Sequence, residues 1–153
     1  MPILSAENSF KKGLAALVDN HFAEATDHFR RAMETERQRR PDRPSMRYLS
    51  YYGFCLARSS GNLPAAIEAC RTASRKAPRN PDLLFNLARV YLLAGKARPA
   101  RDALDRGLSI SPENLALQRE RARVEKMINA GRRPSGRWTA RLRTVFRPSA
   151  AAF

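Results

Sequence analysis

His21, Glu24 and His28 stand at steps of three and four, the spacing that gathers three side chains on one face of a helix. Two imidazoles and a carboxylate form a ligand set for zinc. That face is expected to point outward with no further groups to orient the rings, so the triplet reads as a solvated polar surface and no metal is assigned. Cys55 and Cys70 are the only cysteines. Each falls within a helical stretch with no histidine near it in sequence, which suits reduced thiols in a core better than nucleophiles. The chain has no G-x-G-x-x-G, no G-x4-G-K-S/T, no H-E-x-x-H and no G-x-S-x-G. Without a convergent polar set, neither an enzyme nor a cofactor is expected.

Charge is the stronger chemical signal. Twenty-nine basic residues, mostly arginine, stand against 14 acidic ones for a net charge of +15. Such an excess calls for an acidic partner, whether a protein segment, an anionic membrane or a nucleic acid. Gly131–Phe153 carries six arginines and no acid. Within it Trp138, Leu142, Val145 and Phe146 recur at helical steps with arginines around them, a basic amphipathic pattern. Arg137, Trp138, Arg141, Leu142, Arg143 and Phe146 are thus candidates for a surface anchor. The indole favours a lipid interface over a nucleic acid. A helix of about a dozen residues is marginal alone in water. A disordered basic tail, or a last helix docked on the rest, are the alternatives. With no run of eighteen apolar residues and no secretory pattern in Met1–Phe10, a cytoplasmic location is the default.

The elements that must position any binding surface are clearest between Pro81 and Pro112. Leu84, Leu87, Ala88 and Tyr91 share one face of a first helix, and Ala100, Leu104, Gly107 and Leu108 one face of a second. Asn80 is suited to cap the first helix, Pro81 to occupy its first position, and Gly95 to end it with a positive φ. This pattern resembles the tetratricopeptide repeat, with leucine at the usual tryptophan position.

Shifted by 75 residues, Gly13, Ala16, Asn20, Ala25, Phe29 and Ala32 fall on Ala88, Tyr91, Gly95, Ala100, Leu104 and Gly107. Shifted by 34, Gly61, Ala66, Cys70, Ala73 and Pro78 fall on Gly95, Ala100, Leu104, Gly107 and Pro112. Phe54 then occupies the small-residue position with Gly53 just before it, so the register of that helix stays open by one residue. Seven residues beyond the regular period separate the first two repeats. The second helix of repeat one is predicted to run to about Arg40 and stop before Pro41, and a charged loop follows. After Pro112, Ser111 is predicted to cap a further helix with Leu117, Arg121, Val124 and Ile128 as its stripe and Gly131 as its end.

The expected fold is therefore all-α: a right-handed helical-repeat solenoid of three helix pairs (6–38, 47–79, 81–112), a capping helix (113–130) and a basic tail (131–153). The resemblance implies a groove lined by the first helix of each pair, which takes a peptide or helix of another protein. Carried over by position, that groove would contain Phe10, Lys11 and Leu14, then Tyr51, Tyr52 and Cys55, then Phe85, Asn86 and Arg89. Aromatic residues recurring at one place also suit packing between repeats. Asn86 and Arg89 are harder to explain that way. Chaperone-binding members hold a terminal carboxylate with a Lys and Asn set, which Leu14 and Tyr52 do not match. The expected function is a non-catalytic protein-interaction adaptor; the alternatives are surface attachment through the tail and a chaperone for a secreted substrate.

Overall fold

The computed structural model describes residues 5–132. Seven helices follow one another within them: α1 (Ala6–Val18), α2 (Phe22–Arg39), α3 (Met46–Ser60), α4 (Leu63–Lys76), α5 (Pro81–Leu93), α6 (Ala97–Ile110) and α7 (Leu115–Arg132). No strand occurs among the described residues. Each helix packs against the next, and α3 also lies against α5. The result is an all-α helical-repeat stack in which the second helix of each pair joins its own first helix to the next.

Local chemistry sets the helix ends. Asn80 Oδ1 accepts from the Asp82 amide at 3.0 Å and Pro81 fills the first helical position. The turns inside the three pairs share one device: Asn20, Gly61 and Gly95 have φ of 60°, 69° and 71°. A Cβ added at Gly61 or Gly95 would meet nothing within 4 Å, so the backbone conformation and not crowding favours glycine there. Asparagine is the residue that best tolerates this region after glycine, which accounts for Asn20 in the same role.

Close helix approach settles the open register. A Cβ on Gly13 would stand 2.6 Å from the Phe29 ring, and one on Gly53 would stand 2.9 Å from Cys70 Sγ and 3.0 Å from the Ala66 carbonyl oxygen. Phe29 and Cys70 hold corresponding places in α2 and α4, so Gly53, not Phe54, is the counterpart of Gly13. The extra residue is taken up between Gly53 and Gly61. Everything earlier in α3 is therefore displaced by one position from a strict 34-residue superposition.

The irregular connection is tied down. Helix α2 reaches Arg39, and at the far side of the loop the Ser45 amide donates to Glu36 Oε2 at 2.6 Å. The last helix differs from expectation at both ends. Its start is at Leu115, with Asn114 Oδ1 accepting from the amides of Ala116 (3.1 Å) and Leu117 (3.2 Å), while the Ser111 hydroxyl donates to Glu113 instead. It also continues through Gly131, since a glycine with no positive φ costs a helix only about 1 kcal/mol. Leu117 and Val124 are fully buried, Leu117 against Gly107, and Ile128 nearly so. Arg121 on the same stripe reaches Asp105 (2.6 Å) and Glu125 (2.8 Å), which explains a cation beside buried apolar neighbours.

Candidate functional site

Arg89, on α5, projects along the face formed by the first helices. Its guanidinium carbon lies 3.7 Å from the centroid of Phe54 on α3 and 5.4 Å from that of Phe85. These are cation–π contacts, and no side-chain hydrogen bond among the described residues engages the Arg89 guanidinium, so its N–H donors are available. Burial lowers the Arg89 pKa; the Glu120 carboxylate on α7 opposes this and Arg58 adds to it. The group stays charged all the same. Glu120 itself pairs with Arg123 at 3.5 Å, and Arg89 makes no ion pair among the described residues.

A cavity of about 190 Å³ opens here between α3, α5 and α7; Phe54, Arg58, Arg89, Leu92 and Leu93 line one side, and Glu120, Arg123 and Met127 the other. Arg58 in turn stacks on Phe22 at 4.4 Å, and Phe22 meets Phe54 edge-on at 6.4 Å. Leu93 and Met127 are 39% and 45% exposed. Val18, at 79%, occupies the matching place on α1, 75 residues before Leu93, as Met127 is 34 after it. Three of the five large apolar residues exposed among the described residues thus share one repeat position. The Gly53 register puts Arg58 in the same row on α3. A line of apolar side chains flanked by arginines can hold apolar and acidic groups of a partner together, and it contains no nucleophile paired with a base.

Residues 57–124 match the family model of the tetratricopeptide repeat. Over these residues the chain carries the tetratricopeptide repeat. Its structure is similar to the first such domain of Spaghetti (RPAP3) bound to an HSP90 peptide, with 15% identity, 82% of this chain and 94% of that one covered, and a TM-score of 0.64. It is similar to the Sgt2 domain from Aspergillus fumigatus, with 17% identity, coverage of 97% and 88%, and a TM-score of 0.69. It is also similar to YrrB, described as having an unusual peptide-binding site, with 16% identity, coverage of 79% and 59%, and a TM-score of 0.62. At these identities the likeness is one of fold. No curated protein matches the chain by sequence.

Within this tetratricopeptide array the predicted groove residues separate. Lys11 is exposed, and Leu14, Phe85 and Arg89 are partly so. Tyr51 is half-buried, its ring 5.4 Å from Phe10 and 5.6 Å from Phe29. Tyr52 is half-buried within electrostatic reach of Arg30 on α2. Three residues require correction. Phe10 is 2% exposed, surrounded by Phe29, Tyr48 and Tyr51 with the Arg47 guanidinium 4.3 Å above its ring. Asn86 is 2% exposed and donates from Nδ2 to Ser50 Oγ at 3.2 Å, so its polarity is satisfied inside the stack. Cys55 is fully buried, and burial pushes its thiol up to about 12; Cys70, also buried and pushed up to about 12, donates to the Ser50 carbonyl at 3.3 Å.

Phe54, Arg58, Leu93 and Met127 are not among the residues that the sequence pattern points to. The first two follow once Gly53 is taken as the contact residue, and the other two from extending the superposition to the ends of the first helices. His21 Nδ1 and His28 Nε2 each stand 3.6 Å from Glu24 on the surface of α2. The anchor candidates Arg137, Trp138, Arg141, Leu142, Arg143 and Phe146 lie outside the described residues. No described helix is long and apolar enough to cross a membrane.

Proposed function

We propose that this chain is a non-catalytic adaptor whose repeats, 6–38, 47–79 and 81–112, bind a segment of another protein along the face of α1, α3, α5 and α7. The observation that carries the reading is Arg89, in cation–π contact with Phe54 and Phe85, without an ion pair among the described residues and bordered by the exposed Leu93 and Met127. Arg89 takes an acidic group of the partner, with Arg58 and Arg123 beside it, and Leu92, Leu93, Met127 and Val18 take apolar side chains. Lys11, Leu14 and Phe85 extend the same surface. Tyr51 and Tyr52 contribute their outer edges, while Phe10 and Asn86 support the surface from behind. Two of the similar structures are described by their peptides or peptide sites, which fits this use of the fold.

Affinity capture from the native cell tests the reading, with wild type compared against Arg89→Ala/Leu93→Asp. Both positions are partly exposed, so the fold should persist, which circular dichroism checks. Partners bound through this face should be lost from the variant. A set of captured proteins indifferent to the double substitution overturns the proposal.

A further inference from the structure

The seven residues that break the repeat period build a cavity of their own. It has a volume of about 420 Å³ and lies between the end of α2, the 40–45 connection and the start of α3, with Lys76 of α4 at its edge. Its apolar lining comes from Met33, Pro41, Pro44, Met46 and Leu49. It shares no residue with the cavity around Arg89. The size falls within the range of sites that enclose a ligand group, and two methionines suit a wall that must accommodate an incoming side chain.

Two observations make this more than a gap beside a loop. The connection is held in place, by the 2.6 Å bond from the Ser45 amide to Glu36 and by two prolines that restrict its backbone, so little ordering remains to be done on binding. The lip is also cationic on balance. Arg37 and Lys76 border the cavity, and Arg39 at the end of α2 and Arg40 and Arg43 of the connection are exposed; none makes an ion pair among the described residues, and together they outnumber the exposed carboxylates of Glu34, which also lines the cavity, and Asp42. Arg30 is already paired with Asp27 at 2.7 Å, and the Glu36 carboxylate is engaged by Ser45.

From this geometry we infer a second protein-binding site, which takes an acidic segment that inserts one bulky apolar side chain between Met33, Met46 and Leu49 while its carboxylates meet Arg37 and Lys76. Charge decides the occupant. A second copy of this chain carries a net charge of +15, and the chain's own residues 133–153 hold five arginines and no acid, so both bring like charge to a cationic lip. An apolar pocket in turn requires more than a polyanion.

The chain's four methionines provide the test, because Met33 and Met46 line this cavity whereas Met127 lines the other. The full chain, methyl-labelled at methionine, is titrated with a nine-residue peptide of alternating glutamate and aspartate with phenylalanine at its centre, and with the same peptide carrying glycine there. The phenylalanine peptide should shift the Met33 and Met46 methyl signals to saturation and bind at least tenfold more tightly than the glycine peptide. Arg37→Glu/Lys76→Glu should weaken it tenfold or more with an unchanged helical spectrum, and Arg89→Ala/Leu93→Asp should leave it unaltered. Equal binding of the two peptides, shifts confined to Met127, or displacement of the phenylalanine peptide from Met33 by a single-stranded RNA of equal charge would each overturn the assignment.

Discussion

Between α1 and α3 the chain places the rings of Phe10, Tyr48 and Tyr51, with Phe29 behind them and Arg47 above; between α3 and α5 it places direct helix contact and the Asn86–Ser50 hydrogen bond. The first junction follows the insertion and the second follows a regular period. Where the connection lengthens the step, large side chains fill the space between first helices; where it does not, helices meet closely and a short polar pair fits. Period and side-chain volume are thus two descriptions of the same spacing.

Removing volume from the wide junction should do the most damage. Phe10→Ala is expected to cost about 3–5 kcal/mol, the range for deleting a buried aromatic ring, and to expose α1 first. Urea unfolding with hydrogen exchange on α1 measures both, and a loss below about 1 kcal/mol would show that the aromatic cluster is not what joins the repeats.

Adding volume to a tight contact comes next. Gly53→Ala sets a methyl against the Ala66 carbonyl, which is backbone and cannot move aside, so a loss of about 1–3 kcal/mol is expected despite alanine's better helix propensity. At Gly107 the neighbour 3.1 Å away is the flexible end of Leu117, and Gly107→Ala should stay within about 1 kcal/mol of wild type. Equal thermal shifts for the two would mean that helix propensity, not close approach, sets the requirement.

Smaller again is the polar pair. Asn86→Ala and Ser50→Ala should each cost about 1–2 kcal/mol, and the double variant less than their sum because each single change leaves its partner without a bond. Additive losses in denaturant midpoints would remove the hydrogen bond from the account of this junction.

The least effect at neutral pH comes from the thiols. Cys55 and Cys70 keep their protons in the fold up to about 12, against an ordinary value of 9.0. The unfolded chain then binds fewer protons than the native one between these values, so the stability is fully present below about pH 9 and falls as pH rises towards 12. Burial raises Tyr48 and Tyr51 as well, in the same direction. Denaturant midpoints at pH 7, 9 and 10.5 should decline over the last interval, and less steeply in Cys55→Ala/Cys70→Ala.

Features that depend on neighbours in sequence were readable from spacing: the helix pairs, the left-handed turn residues, the Asn80 cap and the end of α2 before Pro41. Features that depend on partners far along the chain were not. Asn86 looks like a recognition residue until Ser50, 36 positions away, is found to accept from it. The 34-residue count puts Phe54 at the small-residue position and leaves Gly53 as the alternative; the choice needs the tertiary contact, because a ring cannot fit where Cys70 and the Ala66 carbonyl approach so closely. Ser111 suits the cap by residue type, but the cap is Asn114, whose Oδ1 is the acceptor aligned with the amides of α7. Arg89 stands out in the sequence for its polarity alone; its aromatic platform comes from Phe54, whose place depends on the register that sequence leaves open.

The pattern in which each helix touches the next, with α3 reaching only as far as α5, also governs how the structure is acquired. Most helix contacts are between neighbours in sequence, so little chain entropy is lost before packing compensates for it, and ordering can spread from any pair to its neighbours. Such a topology belongs with fast folders, on the order of microseconds to milliseconds. Ribosomal synthesis adds roughly 5–20 residues per second. Packing therefore keeps pace with synthesis, each helix pair gaining its buried face as its neighbour leaves the ribosome.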